Sequence, residues 1–191
     1  MRIGVLALQG AVAEHIRSLE SCGAEGIAVK RTEQLDEIDG LIIPGGESTT
    51  IGKLMRTYGF IEAIKSFSEK KKPIFGTCAG LIVLAERISG GEPPHLGLMN
   101  ITVARNAFGR QRESFEIDLQ MKNWDRPVRG VFIRAPLIES AGEGVEVLAT
   151  YRDGIVAVRQ DHLLGASFHP ELTDDNSMHA YFFEMIRQYS A

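Results

Sequence analysis

Only two cysteines, Cys22 and Cys78, occur in the 191 residues, so neither a disulfide framework nor a Cys-rich metal site can hold this chain together. Basic residues are not in excess: 21 Lys+Arg against 25 Asp+Glu leave a formal charge of -4. With a sequence pI near 5.8, there is no electrostatic footprint for nucleic acid or an anionic membrane surface. No apolar run approaches the roughly 18 residues of a membrane span. At the N-terminus Met1-Arg2 leads straight into Ile3-Gly4-Val5-Leu6-Ala7-Leu8 with no cleavage pattern, so a cytoplasmic location with reduced thiols is expected. In that setting Asn100-Ile101-Thr102, which fits a glycosylation sequon, is a chance match. Repeats, low-complexity tracts and linker-like stretches are also missing, which leaves one domain over residues 1–191. At 44% hydrophobic residues, a chain of this length buries roughly 70% of its unfolded surface around a single core.

The first half alternates short apolar runs with helical patterns, the mark of a parallel sheet covered by helices on both faces. Strands are predicted at about 2–8, 25–30, 39–43 and 73–77. From Ala11 to Cys22 the apolar residues Val12, Ile16 and Leu19 fall at helical spacing, and Gly23 closes that helix. Thr49 to Lys72 reads as two helices divided at Gly59, with Glu69-Lys70-Lys71-Lys72 as a solvated end before Pro73. A short apolar helix, Leu81-Ile82-Val83-Leu84-Ala85, precedes the loop Gly90-Gly91-Glu92-Pro93-Pro94. From about 100 to 168 the pattern changes to short strands, with a hairpin on the Asp153-Gly154 turn. A last helix spans about 177–189, with Tyr181, Phe182, Met185, Ile186 and Tyr189 on its buried side.

Chemistry concentrates in three places. Pro73-Ile74-Phe75-Gly76-Thr77-Cys78-Ala79-Gly80-Leu81 runs from a strand through Gly-x-Cys-x-Gly into a helix, the thiol form of a nucleophile elbow. Such a turn needs small neighbours because the nucleophile's backbone is strained, and it sets the thiol at a helix N-terminus, where dipole and free amides favour a thiolate. A small buried cysteine in a Gly-rich turn is the plainer reading; the glycines at both ±2 positions favour the nucleophile, whereas Cys22 reads as core. A thiolate catalyst needs a base. His15, His95 and His179 sit in polar or loop contexts and His162 at a turn, but His169 follows the apolar strand Leu163-Leu164-Gly165-Ala166-Ser167-Phe168 and precedes Pro170, which favours an extended conformation. There Glu171, two residues on, lies on the same side and can hold the imidazole in one tautomer. Cys78, His169 and Glu171 thus supply nucleophile, base and orienter, although His-Pro-Glu alone would more often be a plain strand end.

The third place is Gly40-Leu41-Ile42-Ile43-Pro44-Gly45-Gly46-Glu47-Ser48-Thr49-Thr50. Two glycines past a strand let amides point at a ligand, and Gly46 with Ala79 could stabilise an oxyanion. A phosphate-binding P-loop fails on spacing: five residues separate Gly46 from Gly52, and Lys53 is followed by Leu54. A helix N-cap at Ser48 is the structural alternative, and both roles can coexist.

Gly76-Thr77-Cys78-Ala79-Gly80, Pro44-Gly45-Gly46-Glu47-Ser48-Thr49 and His169-Pro170-Glu171 resemble the three signatures of the class I triad glutamine amidotransferases. Leu8-Gln9-Gly10-Ala11, Arg105-Asn106-Ala107-Phe108-Gly109-Arg110-Gln111 and Val131-Phe132-Ile133-Arg134-Ala135-Pro136 are similar to motifs of the subfamily of glutaminases that serve pyridoxal 5'-phosphate synthases. The resemblance covers essentially the whole chain. Many other triad amidotransferases carry Gln four residues after the nucleophile, where this sequence has Ile82, and lack the Glu47-Ser48 pair; both departures agree with the subfamily. The resemblance implies a three-layer flavodoxin-like α/β fold, with a central, mostly parallel mixed sheet and helices on both faces. It also implies glutamine hydrolysis without cofactor or metal, ammonia delivery to a separate synthase subunit in a large hetero-oligomer, and a glutamine pocket lined by Gly46, Glu47, Ser48, Arg105, Ile133 and Arg134. Composition alone makes both arginines solvated surface. A stand-alone cysteine-elbow hydrolase or peptidase, and a non-catalytic subunit with a vestigial site, remain the alternatives.

Overall fold

The computed structural model describes residues 1–108 and 114–191. β1 (Arg2–Leu6), β2 (Glu25–Val29), β3 (Gly40–Ile43), β4 (Ile74–Thr77) and β12 (Leu163–Ala166) form a parallel block in the order β2-β1-β3-β4-β12. That is the flavodoxin-like order, in which ligands gather beyond the carboxyl ends of the strands. Past β12 the sheet turns antiparallel through β11 (Gly154–Gln160), β9 (Leu137–Ala141) and β6 (Met99–Ala104). It ends in β5 (Ala85–Ile88), parallel to β6, while β10 (Glu146–Tyr151) pairs with β11 beside that path. A separate antiparallel pair joins β7 (Ser114–Leu119) to β8 (Val128–Ile133).

Alternation along the buried strands feeds two cores. Ile3 and Val5 of β1 pack with Leu19 of α1 (Val12–Ser21) and Phe182 of α5 (Ser177–Ser190) on one face. Leu6 joins the opposite core, built with α2 (Ser48–Thr57), α3 (Phe60–Glu69) and α4 (Ala79–Leu84). The mixed sheet with helices on both faces is the expected architecture, and Gly59 divides α2 from α3 with φ 77°.

Several local expectations give way. The apolar run after Cys78 is cut at Ala85, which is extended at φ -65°, ψ 141° and opens β5 instead of prolonging α4. Periodicity cannot divide a continuous apolar run of that kind. A 3-10 turn over Thr32–Glu37 was also unforeseen. The hairpin between β10 and β11 turns on Arg152 and Asp153, because Tyr151 pairs with Gly154 and Arg152 takes φ 54°. Gly154 stays in the strand, where a β-carbon would overlap Leu137. Tyr189 is exposed rather than on the buried side of α5, and Cys22 caps α1 half-buried instead of lying in the core.

His15 and His179 are the larger correction. Neither is in a polar or loop context: both are fully buried, on α1 and α5, with His15 Nδ1 2.9 Å from His179 Nε2. His162 does lie at a turn, but it is buried too, 2.8 Å from Ser68 Oγ. Burial holds the His179 pKa down to about 4, and burial followed by the charges of His179 and His169 drives that of His15 well below normal. An unfolded histidine takes up its proton near pH 6.5, so the unfolded chain binds more protons than the folded one as pH falls through 6.5 toward 4. Stability is therefore expected to fall across that window, by about 3 kcal/mol from His179 alone. Urea unfolding between pH 7 and pH 4.5 measures it. A flat profile there would contradict neutral, buried imidazoles.

Candidate active site

The Cys78 backbone lies at φ 52°, ψ -110°, a region that costs an L-residue about 1–3 kcal/mol. The flanking glycines make it possible. A β-carbon on Gly80 would strike the Ile43 carbonyl, and one on Gly76 would lie 2.7 Å from the Gly80 carbonyl carbon. The Cys78 amide donates to the Ala166 carbonyl at 2.9 Å, which ties the elbow to β12. Cys78 therefore sits at the carboxyl end of β4, at the first turn of α4, where helix amides have no partner within the helix. Its Sγ is 3.9 Å from the Ile133 carbonyl oxygen.

His169 leaves the carboxyl end of β12 and is anchored by its own amide to the Val131 carbonyl at 2.8 Å. The segment after it is not the extended run expected from the sequence: Pro170–Leu172 forms a 3-10 turn with Pro170 at its start. The turn nonetheless swings the Glu171 carboxylate under the imidazole, with His169 Nδ1 2.6 Å from Glu171 Oε1. Burial opposes a charge on His169, but hydrogen bonds to Cys78 and Glu171, and the electrostatic pull of the same two groups, raise its pKa to about 10. Glu171 is itself buried.

The loop after β3 closes the third side. Gly45 is so near that a β-carbon there would lie 2.7 Å from His169 Cε1 and 3.3 Å from Cys78 Cβ. Its carbonyl oxygen fills the space that a side chain at Gly10 would need, so the Gly46 amide of the same trans peptide points away from Gly10. Gly46 adopts φ 135° against the Gln9 side chain, and Gln9 Oε1 accepts from the Glu47 amide at 2.6 Å.

The cap of α2 is Glu47 rather than Ser48. Its carboxylate accepts from the amides of Thr49 at 3.1 Å and Thr50 at 2.8 Å and from Thr50 Oγ1 at 2.6 Å, bonds that bring its pKa to about 2. Ser48 is buried and its hydroxyl has no hydrogen-bond partner among the described residues.

These groups line one cavity of about 430 Å³, large enough for an amino acid. Gly46, Glu47, Ser48, Cys78, Ala79, Arg105, Ile133, Arg134 and His169 all contribute to it, and Glu171 stands behind His169. Ile82, Asn106 and Pro136 also line it, although the sequence reading places none of them in the pocket. Ile82, four residues after Cys78 and one turn into α4, is the position at which the sequence departs from many other triad amidotransferases, and that departure is the signal that it faces the pocket. Arg105 is not solvated surface: its guanidinium donates to Glu47 Oε1 and Glu92 Oε2, both at 2.8 Å, and to Thr49 Oγ1 at 3.0 Å. Residues 109–111 of the Arg105–Gln111 motif lie outside the described residues. Arg134 takes φ 44° at the end of β8. Among the described residues no group of three or more His, Cys, Asp or Glu side chains is arranged to hold a metal, and no helix is long and apolar enough to cross a membrane.

The chain has close relatives. It is 72% identical over 188 residues to pyridoxal 5'-phosphate synthase subunit PdxT of Niallia circulans, covering 98% of this chain and 99% of the relative. It is 62% identical to the protein of the same name from Anoxybacillus flavithermus, covering 98% of each. A crystal structure described as a glutamine amidotransferase superposes with a TM-score of 0.92 at 50% identity, over 97% of this chain and 98% of the other. The family model for SNO glutamine amidotransferases matches residues 5–188. With Cys78, His169 and the glycine loop converging on one cavity, and a family match over nearly its whole length, the chain belongs to the SNO glutamine amidotransferase family.

Proposed function

We propose that this chain, as one amidotransferase domain over residues 1–191, hydrolyses L-glutamine to L-glutamate and ammonia and hands the ammonia to the synthase subunit of a pyridoxal 5'-phosphate synthase. The observation that carries the chemistry is the strained Cys78 beside a His169–Glu171 pair at 2.6 Å, opening on a cavity of amino-acid size. The partner rests on relatives named as synthase subunits over nearly their whole length. The complex is read as a large hetero-oligomer in the cytoplasm, where unpaired Cys22 and Cys78 stay reduced.

Catalysis then runs as follows. The Cys78 sulfur, its proton held by His169, attacks the side-chain carboxamide carbon of glutamine. The carbonyl oxygen takes the negative charge beside the amides of Gly46 and Ala79. His169 passes its proton to the nitrogen, the C–N bond breaks, and ammonia leaves behind a glutamyl thioester. Neutral His169 next removes a proton from water, whose oxygen attacks the thioester; glutamate departs and the sulfur returns to its resting pairing. Glu171 accepts from Nδ1 throughout and leaves Nε2 to face the sulfur.

Recognition of a zwitterion asks for both signs of charge at the cavity rim. Arg105 and Glu47 supply them, Arg134 adds a second cation, and the unpartnered Ser48 hydroxyl is free for a polar atom of the ligand. Ile133 contributes its backbone and an apolar wall.

Ammonia release from glutamine, with and without saturating synthase subunit, tests the reading. Turnover is expected to rise when the partner is added and to vanish in Cys78→Ala. Full activity in that variant would remove the nucleophile. Turnover of other amides or esters in preference to glutamine would favour the stand-alone hydrolase. For the pocket, Arg105→Ala is expected to raise the glutamine KM by about tenfold or more with a smaller effect on kcat, since a ground-state contact is lost. An unchanged KM would restrict Arg105 to tying Glu47 to Glu92.

A further inference from the structure

Glu171 has two oxygens, and the triad uses one. The other, Oε2, is buried, and no hydrogen-bond partner meets it in good geometry. His15 Nε2 lies 3.3 Å from it, on a helix from the other end of the chain. The same nitrogen lies 3.4 Å from Thr77 Oγ1, next to Cys78, and the other nitrogen of His15 is 2.9 Å from His179 Nε2. Glu171, His15, Thr77 and His179 are all buried. The imidazoles thus continue the line Cys78–His169–Glu171 into the interior between α1 and α5.

The partners decide the tautomers. A buried carboxylate oxygen needs a donor, because an anion facing a bare lone pair in a dry interior is repelled and unsatisfied. If His15 carried its proton on Nδ1, its Nε2 lone pair would face Glu171 Oε2. With the proton on Nε2, His15 donates toward Oε2, and its Nδ1 becomes the acceptor for His179 Nε2–H. The contacts from His179 to His15 and from His15 to Glu171 then both point toward the carboxylate, Thr77 Oγ1 accepts from the same Nε2–H, and both deep imidazoles are neutral. The residue left over is His179 Nδ1, which is buried without a partner.

Resting on the glutaminase reading above, we propose that His15 is a positioning residue for the reaction: its Nε2–H holds the outer oxygen of Glu171 and so aims the inner oxygen at His169. His179 fixes the His15 tautomer from behind. His15 touches neither substrate nor sulfur and acts only through Glu171. A 3-10 turn of three residues carries that carboxylate, so its rotamer depends on what meets the second oxygen.

The test is steady-state glutaminase activity in the complex with the synthase subunit. His15→Leu is expected to lower kcat by about 10- to 100-fold with glutamine KM changed less than about twofold, since the substrate pocket is untouched. His15→Gln, whose amide can donate from nearly the same place, is expected to recover to within about fivefold of wild type. In a Glu171→Gln background His15→Leu is expected to cost less than about twofold, the non-additivity of two groups acting in series. A His15→Leu enzyme with near-normal kcat would overturn the proposal. So would an equal loss in the Glu171→Gln background, or a Gln variant as poor as Leu. Should His15→Leu not fold, nitrogen NMR of histidine-labelled wild type decides: His15 protonated on Nε2 supports the proposal and on Nδ1 overturns it. Activity surviving in Cys78→Ala would instead sink the glutaminase reading, which keeps the two failures apart.

Discussion

Cys78 can occupy its left-handed backbone position only because three chain segments press on it without side chains in between. The Gly80 α-carbon rests against the Ile43 carbonyl of β3, Gly76 against the Gly80 carbonyl, and the Cys78 amide is bonded to Ala166 of β12. A strain of about 1–3 kcal/mol is small beside the packing of a parallel sheet, yet it exists only while β3, β4 and β12 keep their register. The register Gly76 with Ile43 on one side and Gly165 on the other thus also sets the geometry of Cys78. The same three strands end in the glycine loop, Cys78 and the His169 segment, so the register of the sheet sets all three side by side.

Charge is arranged around that constraint in layers. His169 lies between Cys78 and a buried Glu171, and both favour a positive charge on it against the cost of burial. Farther in, the imidazoles of His15 and His179 are kept neutral by burial. Toward solvent, Arg105 is balanced by Glu47 and Glu92. α1 has an unusual share in this arrangement. The turn before it places Gln9 on the Glu47 amide of the glycine loop, and its first turn places His15 beside Glu171. The short segment from Gln9 to His15 therefore touches both the glycine loop and the Glu171 carboxylate.

The parallel half of the fold was legible because each strand there is a short apolar run closed by Gly or Pro, and each helix carries its own stripe. The elbow was legible for a different reason: glycines at both sides of Cys78 report a close backbone approach that no other residue allows. What escaped the sequence depends on contacts between distant segments. Ala85 leaves α4 because β6 offers it a partner, and Gly154 is fixed in β11 by Leu137, which moves the hairpin turn one residue back. Glu47 displaced Ser48 as the cap because its longer side chain reaches Thr49 and Thr50. His15 and His179, 164 positions apart, each look like an ordinary polar residue on an amphipathic helix, and only the packing of α1 against α5 shows that they meet behind Glu171.

The proposed chemistry requires that glutamine acylate Cys78 covalently. Rapid acid quench of the complete synthase during its first turnovers of isotopically labelled glutamine, followed by peptide mapping, measures this directly. A hydroxylamine-labile glutamyl adduct on the Cys78 peptide is expected, formed no more slowly than ammonia is released. Ammonia release with no labelled Cys78 peptide, or label on Cys22 in its place, would contradict it.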